Sequence, residues 1–204
     1  MFRGGRATEG IHPVKVNKKL SAALCGTSAM LLALSGCGGN NTGKQLDTWA
    51  KGVCDLAAGQ IKKIDDANTA ISKVDSGGKP QAVKTADSAA FRTISDAYKS
   101  LAGIFSSAAT APGGTQGQQS QQNAVTVFNG LSSQYAALKK QVDGLNTSDQ
   151  SKFADGLKGV SDSLNKTTAG AQTSLDTLRQ GATGNALAKQ PGCQQVAGAS
   201  PSAS

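Results

Sequence analysis

Apolar residues recur at helical spacing through four long stretches, each bounded by glycine, proline or polar punctuation. The first runs from about Lys44 to Asp75, with Leu46, Trp49, Val53, Leu56, Ile61, Ile64, Ala67, Ile71 and Val74 on one broad face. Asn40, Asn41 or Thr42 can cap its start, and Ser76-Gly77-Gly78 ends it. The second opens on Pro80, where the missing N–H costs nothing. Its stripe is Val83, Ala86, Ala90, Ile94, Ala97, Leu101, Ile104 and Ala108, widened by Phe91, Tyr98 and Phe105, and it stops at Pro112-Gly113-Gly114. Residues 112–121, PGGTQGQQSQ, read as a polar connection. In the third stretch Ala124, Phe128, Leu131, Tyr135, Leu138, Val142 and Leu145 follow a strict 4-3 spacing, which keeps a seam aligned along a left-handed supercoil. The fourth begins after Asn146-Thr147-Ser148 and carries Phe153, Leu157, Val160, Leu164, Ala171, Leu175 and Leu178 to about Gln180.

Nothing in these stretches alternates as a strand would. Four amphipathic helices with short or medium loops predict an all-α, up-down-up-down four-helix bundle over residues 44–196. Its seams are thin. Many positions are alanine, and Gly130, Gly156, Gly159 and Gly170 fall inside helices, each costing about 0.8–1 kcal/mol relative to alanine.

The residues ahead of the first helix have another character. Lys15, Lys18 and Lys19 precede an apolar run at 20–34, and the run ends in Leu34-Ser35-Gly36-Cys37. Basic flank, short apolar core and small residues are the layout of a secretory signal peptide. A membrane span needs about 20 apolar residues, and this run also contains Ser21, Gly26, Thr27 and Ser28. The L-S-G-C ending resembles the lipobox of bacterial lipoproteins. That resemblance covers residues 14 to 38 and implies that 1–36 is removed, that Cys37 receives a diacylglyceryl group, and that residues 37–43 form a lipidated tether. It implies anchoring on the extracytoplasmic face of the cell membrane. The composition beyond it, rich in Ala, Gly, Ser and Thr with one cysteine pair, is similar to that of small actinobacterial lipoproteins. Val14 or Val16, just ahead of the lysines, would serve as the translation start of such a leader.

Removing the leader changes the charge. The whole chain carries 21 Lys and Arg against 13 acids, +8, but residues 37–204 carry 16 against 12, or +4, spread along the chain. With few aromatics and no basic stripe, nucleic acid is not an expected partner. The expected contacts are the membrane, through the lipid, and an envelope protein or cell-wall polymer. Two of the four cysteines belong to the leader and the lipid site, leaving Cys54 and Cys193. An even pair in an exported chain reads as one disulfide, with two free thiols as the alternative. Bridged, the pair would close nearly the whole domain into one loop, worth about 4–5 kcal/mol on chain entropy, a structural staple more than a redox switch. Residues 197–204, AGASPSAS, read as a disordered tail.

Chemistry is sparse. The only His and Glu, His12 and Glu9, precede Cys37, which removes the histidine-based triads, histidine-bearing zinc sites and glutamate acid–base pairs from the expected domain. Asp65-Asp66 are adjacent and read as surface charge, while Asp155 and Asp162, one heptad apart, lack a context that would raise a pKa. No catalytic residue, metal site or cofactor site is expected. Trp49 sits on an apolar face and reads as core before ligand platform. The functional expectation is a non-enzymatic, lipid-anchored binding or spacer module. The alternative is a small-ligand sensor or transport accessory with a pocket between helices.

Overall fold

The structure, a computed structural model, describes residues 39–194, with side chains from Asn41 onward. The leader, Cys37 and the tail at 197–204 lie outside the described residues. Four long helices pack together: α1 (Gly39–Ser72), α2 (Pro80–Ser107), α3 (Gly114–Asp143) and α4 (Gln150–Leu178). Two short helices follow, α5 (Gly181–Ala188) and α6 (Pro191–Gln194), and no strand occurs among the described residues.

Neighbouring helices run antiparallel, as their cross-links require. Trp49 Nε1, early in α1, donates to the carbonyl of Ala109, just past α2, at 2.7 Å. Lys84 Nζ, early in α2, donates to the carbonyl of Leu145, just past α3, at 3.0 Å. Thr147 and Gln81 meet at 3.2 Å, so the 76–79 and 146–148 turns share one end of the bundle. The other end gathers the start of α1, the α2–α3 turn, and α5 and α6.

The 4-3 seam of α3 is buried at every position from Ala124 to Val142. Against it α2 presents Ala90, Phe91, Ile94, Ala97, Tyr98, Leu101 and Phe105, all buried. Six rings form a continuous chain through this interface: Trp49, Phe105, Phe128, Tyr98, Tyr135 and Phe91, with successive centroids 5.4 to 6.3 Å apart. Such pairs add about 0.5–1.5 kcal/mol each beyond the area they bury. Trp49 therefore packs, half-buried, against the core with its one polar atom satisfied.

Several expectations need correction. α1 starts at Gly39, not Lys44, so helix occupies residues 39–43 that the sequence reading gave to a tether. α3 starts at Gly114, so all but the first two residues of the expected 112–121 connection are helical. Gly113, at φ 105°, makes the turn that a residue with a Cβ would resist. Gln121 then explains why a polar stretch is held there. Buried, it donates to the Phe105 carbonyl at 2.8 Å and accepts from the Ala111 N–H at 2.8 Å, closing the end of α2. On α1 the buried position is Ala57, and Leu56 is 67% exposed. On α2 Asp87 is buried where Ala86 was expected, and Ala86 is exposed. In both cases the seam passes one residue, about 100° of helix, from the assumed position. The N-cap of α4 is Asp149, which accepts from the backbone N–H groups of Ser151 and Lys152.

Cys54 and Cys193 are bonded, with Cα atoms 5.2 Å apart. The bond joins α1 to α6, so it is the short terminal helices, not the end of α4 itself, that return beside α1. Gly192 makes that approach possible: a Cβ there would collide with the carbonyl of Cys54.

Reducing the disulfide should lower the thermal midpoint by about 10 °C or more, since 4–5 kcal/mol is at stake and 1 kcal/mol moves a domain of this size about 2–4 °C. Calorimetry with and without reductant measures it, and an unchanged midpoint rejects the staple. Gly192→Ala should destabilise even with the bridge formed. Gly130→Ala, where a Cβ meets open space inside α3, should stabilise by about 0.5–1 kcal/mol.

Candidate functional site

Side chains of five helices, α1 to α5, fail to meet near the disulfide end, leaving a cavity of about 190 Å³ that is partly open to solvent. The cause is side-chain size. Ala57 of α1, Ala124 of α3 and Gly184 and Ala188 of α5 face this space, where a bundle of larger residues would close. Leu101 and Phe105 of α2, Phe128 of α3, and Leu175 and Leu178 of α4 form the apolar walls. α5 and the Cys193 and Gln194 segment complete them. Polar groups are few: Ser120, Thr183, Gln194 and Arg179, whose guanidinium is paired with Asp176 at 2.9 Å.

A void of this size is expensive. At about 24 cal/mol per Å³ of residual cavity, 190 Å³ fully sealed and empty would cost on the order of 4–5 kcal/mol, an upper bound for a space partly open to solvent. It exceeds the roughly 150 Å³ that suffices for a benzene-sized guest, and falls below the roughly 300–1,000 Å³ of drug-sized sites. The space suits a small apolar group.

The other charged groups stand elsewhere. Asp155 and Asp162 are both exposed on α4, and Asp66 pairs with Lys62 at 2.7 Å on the surface of α1. Asp65 has a raised pKa, chiefly from burial and then from Asp66, with Lys62 opposing. The carboxyl of Asp143 is held below its ordinary value by hydrogen bonds from Lys139 and Ser88. Burial pushes up the phenols of Tyr98 and Tyr135, so both are neutral; for Tyr135 the Thr168 hydroxyl works the other way. No cluster of three His, Cys, Asp or Glu suited to a metal ion occurs among the described residues. No helix among them is long and apolar enough to cross a membrane.

Of the sequence-derived site residues, Cys54 and Cys193 are brought together, and Cys193 also lines the cavity. Cys37 lies outside the described residues. Trp49 stands one ring behind the cavity, edge-on to Phe105 at 6.3 Å. The lining itself escaped the sequence reading: alanine at seam position Ala124 was in view as thinness, but Ala57 was not, because the seam was placed on Leu56.

Asp87 offers a test of the buried charge. Burial raises its pKa, so the native state holds this proton more tightly than the unfolded chain does. Its destabilising effect is absent below the unfolded value of 3.8 and complete above the raised native one. Asp87→Asn should therefore raise the thermal midpoint at pH 7, by about 1–3 °C, and by less at pH 3.5, as read in parallel melts. No protein-family model, curated protein or solved structure matches this chain.

Proposed function

We propose that the protein is a lipid-anchored, non-enzymatic binding module of the bacterial cell envelope that takes a small apolar ligand between its helices. The observation that carries the binding reading is the cavity of about 190 Å³ lined by α1–α5 and the Cys193 segment. A pure spacer gains nothing from a partly open apolar cavity whose walls forgo packing contacts, so the cavity favours binding over spacing. The location rests on Lys15, Lys18, Lys19 and the apolar run ending in Leu34-Ser35-Gly36-Cys37. Two acyl chains on Cys37 suffice for stable anchoring, where one would not.

In this reading the first turns of α1 act as a helical stalk. Residues 41–45 are exposed, and Leu46 is the first buried side chain. From Gly39 to Leu46 the helix rises about 10 Å, which separates the body from the anchor more stiffly than a glycine-rich linker would. An envelope protein or cell-wall polymer remains the partner class for the outer surface, where a net +4 supplies only mild attraction.

Metabolic labelling with a clickable fatty acid, followed by fractionation, tests the anchor. The native chain should be labelled and sediment with membranes. Cys37→Ala should be unlabelled and either keep its leader or leave the membrane fraction. A Cys37→Ala chain that still sediments at mature size rejects the reading.

A further inference from the structure

We infer that the cavity holds a segment of unbranched hydrocarbon chain about seven or eight carbons long, the tail of a single-chain amphiphile or the end of a lipid acyl chain. The inference rests on the binding function proposed above and names its ligand class. Size sets the length: if roughly 150 Å³ accommodates six carbons, 190 Å³ accommodates seven or eight. Chemistry sets the tail. Leucine, alanine and phenylalanine side chains form the walls, and the one charged residue at the lining, Arg179, is already paired with Asp176. A polar or ionic ligand would find too few partners here to replace its hydration. The partial opening sets the shape. A rigid fused-ring ligand would have to fit whole, whereas a chain can insert its end and leave its head, or its remaining carbons, in solvent. Ser120, Thr183 and Gln194 supply neutral polar groups among the lining residues.

This reading makes a quantitative demand. Each methylene entering an apolar site should tighten binding about fourfold, and the gain should stop when the cavity is full. Trp49, the only tryptophan in the chain, touches Phe105 of the cavity wall and provides the readout. Titrating the purified full chain with straight 1-alkanols of four to twelve carbons should give affinities rising about fourfold per carbon to seven or eight, then level. Ala124→Leu, which adds three carbons to the wall, should move the plateau about three carbons shorter. Ala188→Phe, at an exposed lining position that tolerates bulk, should weaken every alkanol at least tenfold. Ala136→Phe, exposed on α3 and outside the lining, should change nothing. No saturable response, a rise without plateau, or identical curves for Ala124→Leu, Ala188→Phe and the native chain would overturn the inference.

Two further arms identify the source of the chain: free alkanoates in solution, and phosphatidylglycerol vesicles with bromine at the acyl terminus, which quench tryptophan on contact. A response in either supports the inference and names the donor; silence in both overturns it. Failure here is separable from failure of the anchor. A chain that sediments through Cys37 yet binds no alkanol loses only the ligand. One that binds alkanols but is not lipidated loses only the location.

Discussion

The bond between Cys54 and Cys193 holds a structure whose apolar contacts alone are modest. It spans 139 residues of sequence, and the loop it closes contains most of α1 and all of α2 to α5. Before folding, that loop removes a large part of the chain's freedom, by about 4–5 kcal/mol on the entropic account. After folding, it does something local. It pins a four-residue helix, too short to be stable alone, against α1 at the point where Gly192 lets two backbones nearly touch. Without that pin, α5 and α6 would be an eight-residue and a four-residue segment with few buried side chains of their own. The bond thus secures the elements that wall the cavity.

The magnitudes bear on each other. Sealed and empty, the cavity would cost at most on the order of 4–5 kcal/mol, no more than the bridge contributes, while a whole domain is stable by only about 5–15 kcal/mol. A bundle with alanine at Ala57 and Ala124 and an open flank could not keep the cavity on packing alone. The tight part of the molecule is the stretch of the α2–α3 interface around Phe91, Ile94, Tyr135, Leu138 and Val142, beyond the Phe105 and Phe128 end that walls the cavity. One half of the bundle is densely packed and the other is held by a covalent link around a gap. That division places the proposed ligand site at the loosely packed end.

Much of this was legible in the sequence, and the failures have physical causes. Strict spacing from Ala124 to Leu145 identified the α3 seam because large residues at 4-3 intervals admit one buried face. The cysteine pair was legible once Cys25 and Cys37 were assigned to the leader and the lipid site. Leu56 and Ala86 misled because hydrophobicity was taken as evidence of burial, yet a solvent-facing helical position tolerates either. Gln121 misled in the opposite sense: a long polar residue in a Gly- and Gln-rich stretch looked like loop, but its amide matches the unpaired carbonyls ending α2. Nothing in GATGNALA and PGCQ announced helices. Helices this short are made by their tertiary contacts, and periodicity cannot register in one or two turns.

The cavity illustrates the deeper limit. Small residues on separate helices become a void only when the fold aligns them and no neighbour leans in. Ala57 and Ala124 stand 67 positions apart in the sequence, and α5 could have filled the space between them had it carried larger side chains. Its Thr183, Gly184 and Ala188 do not fill it. Leu187 reaches the lining yet leaves about 190 Å³ unfilled. The absence of bulk at these positions is thus coordinated across three helices. Gly184 also has a local reason to be small, because a Cβ there would strike the carbonyls of Leu178 and Arg179. No such constraint applies to Ala188, which is exposed and could accept a larger side chain without strain in the helix. A site relieved only of backbone collisions would need Gly184 and nothing more. The alanines beside it leave the room that the proposed ligand would fill, and α5, held through α6 by the bridge, forms one wall of that room.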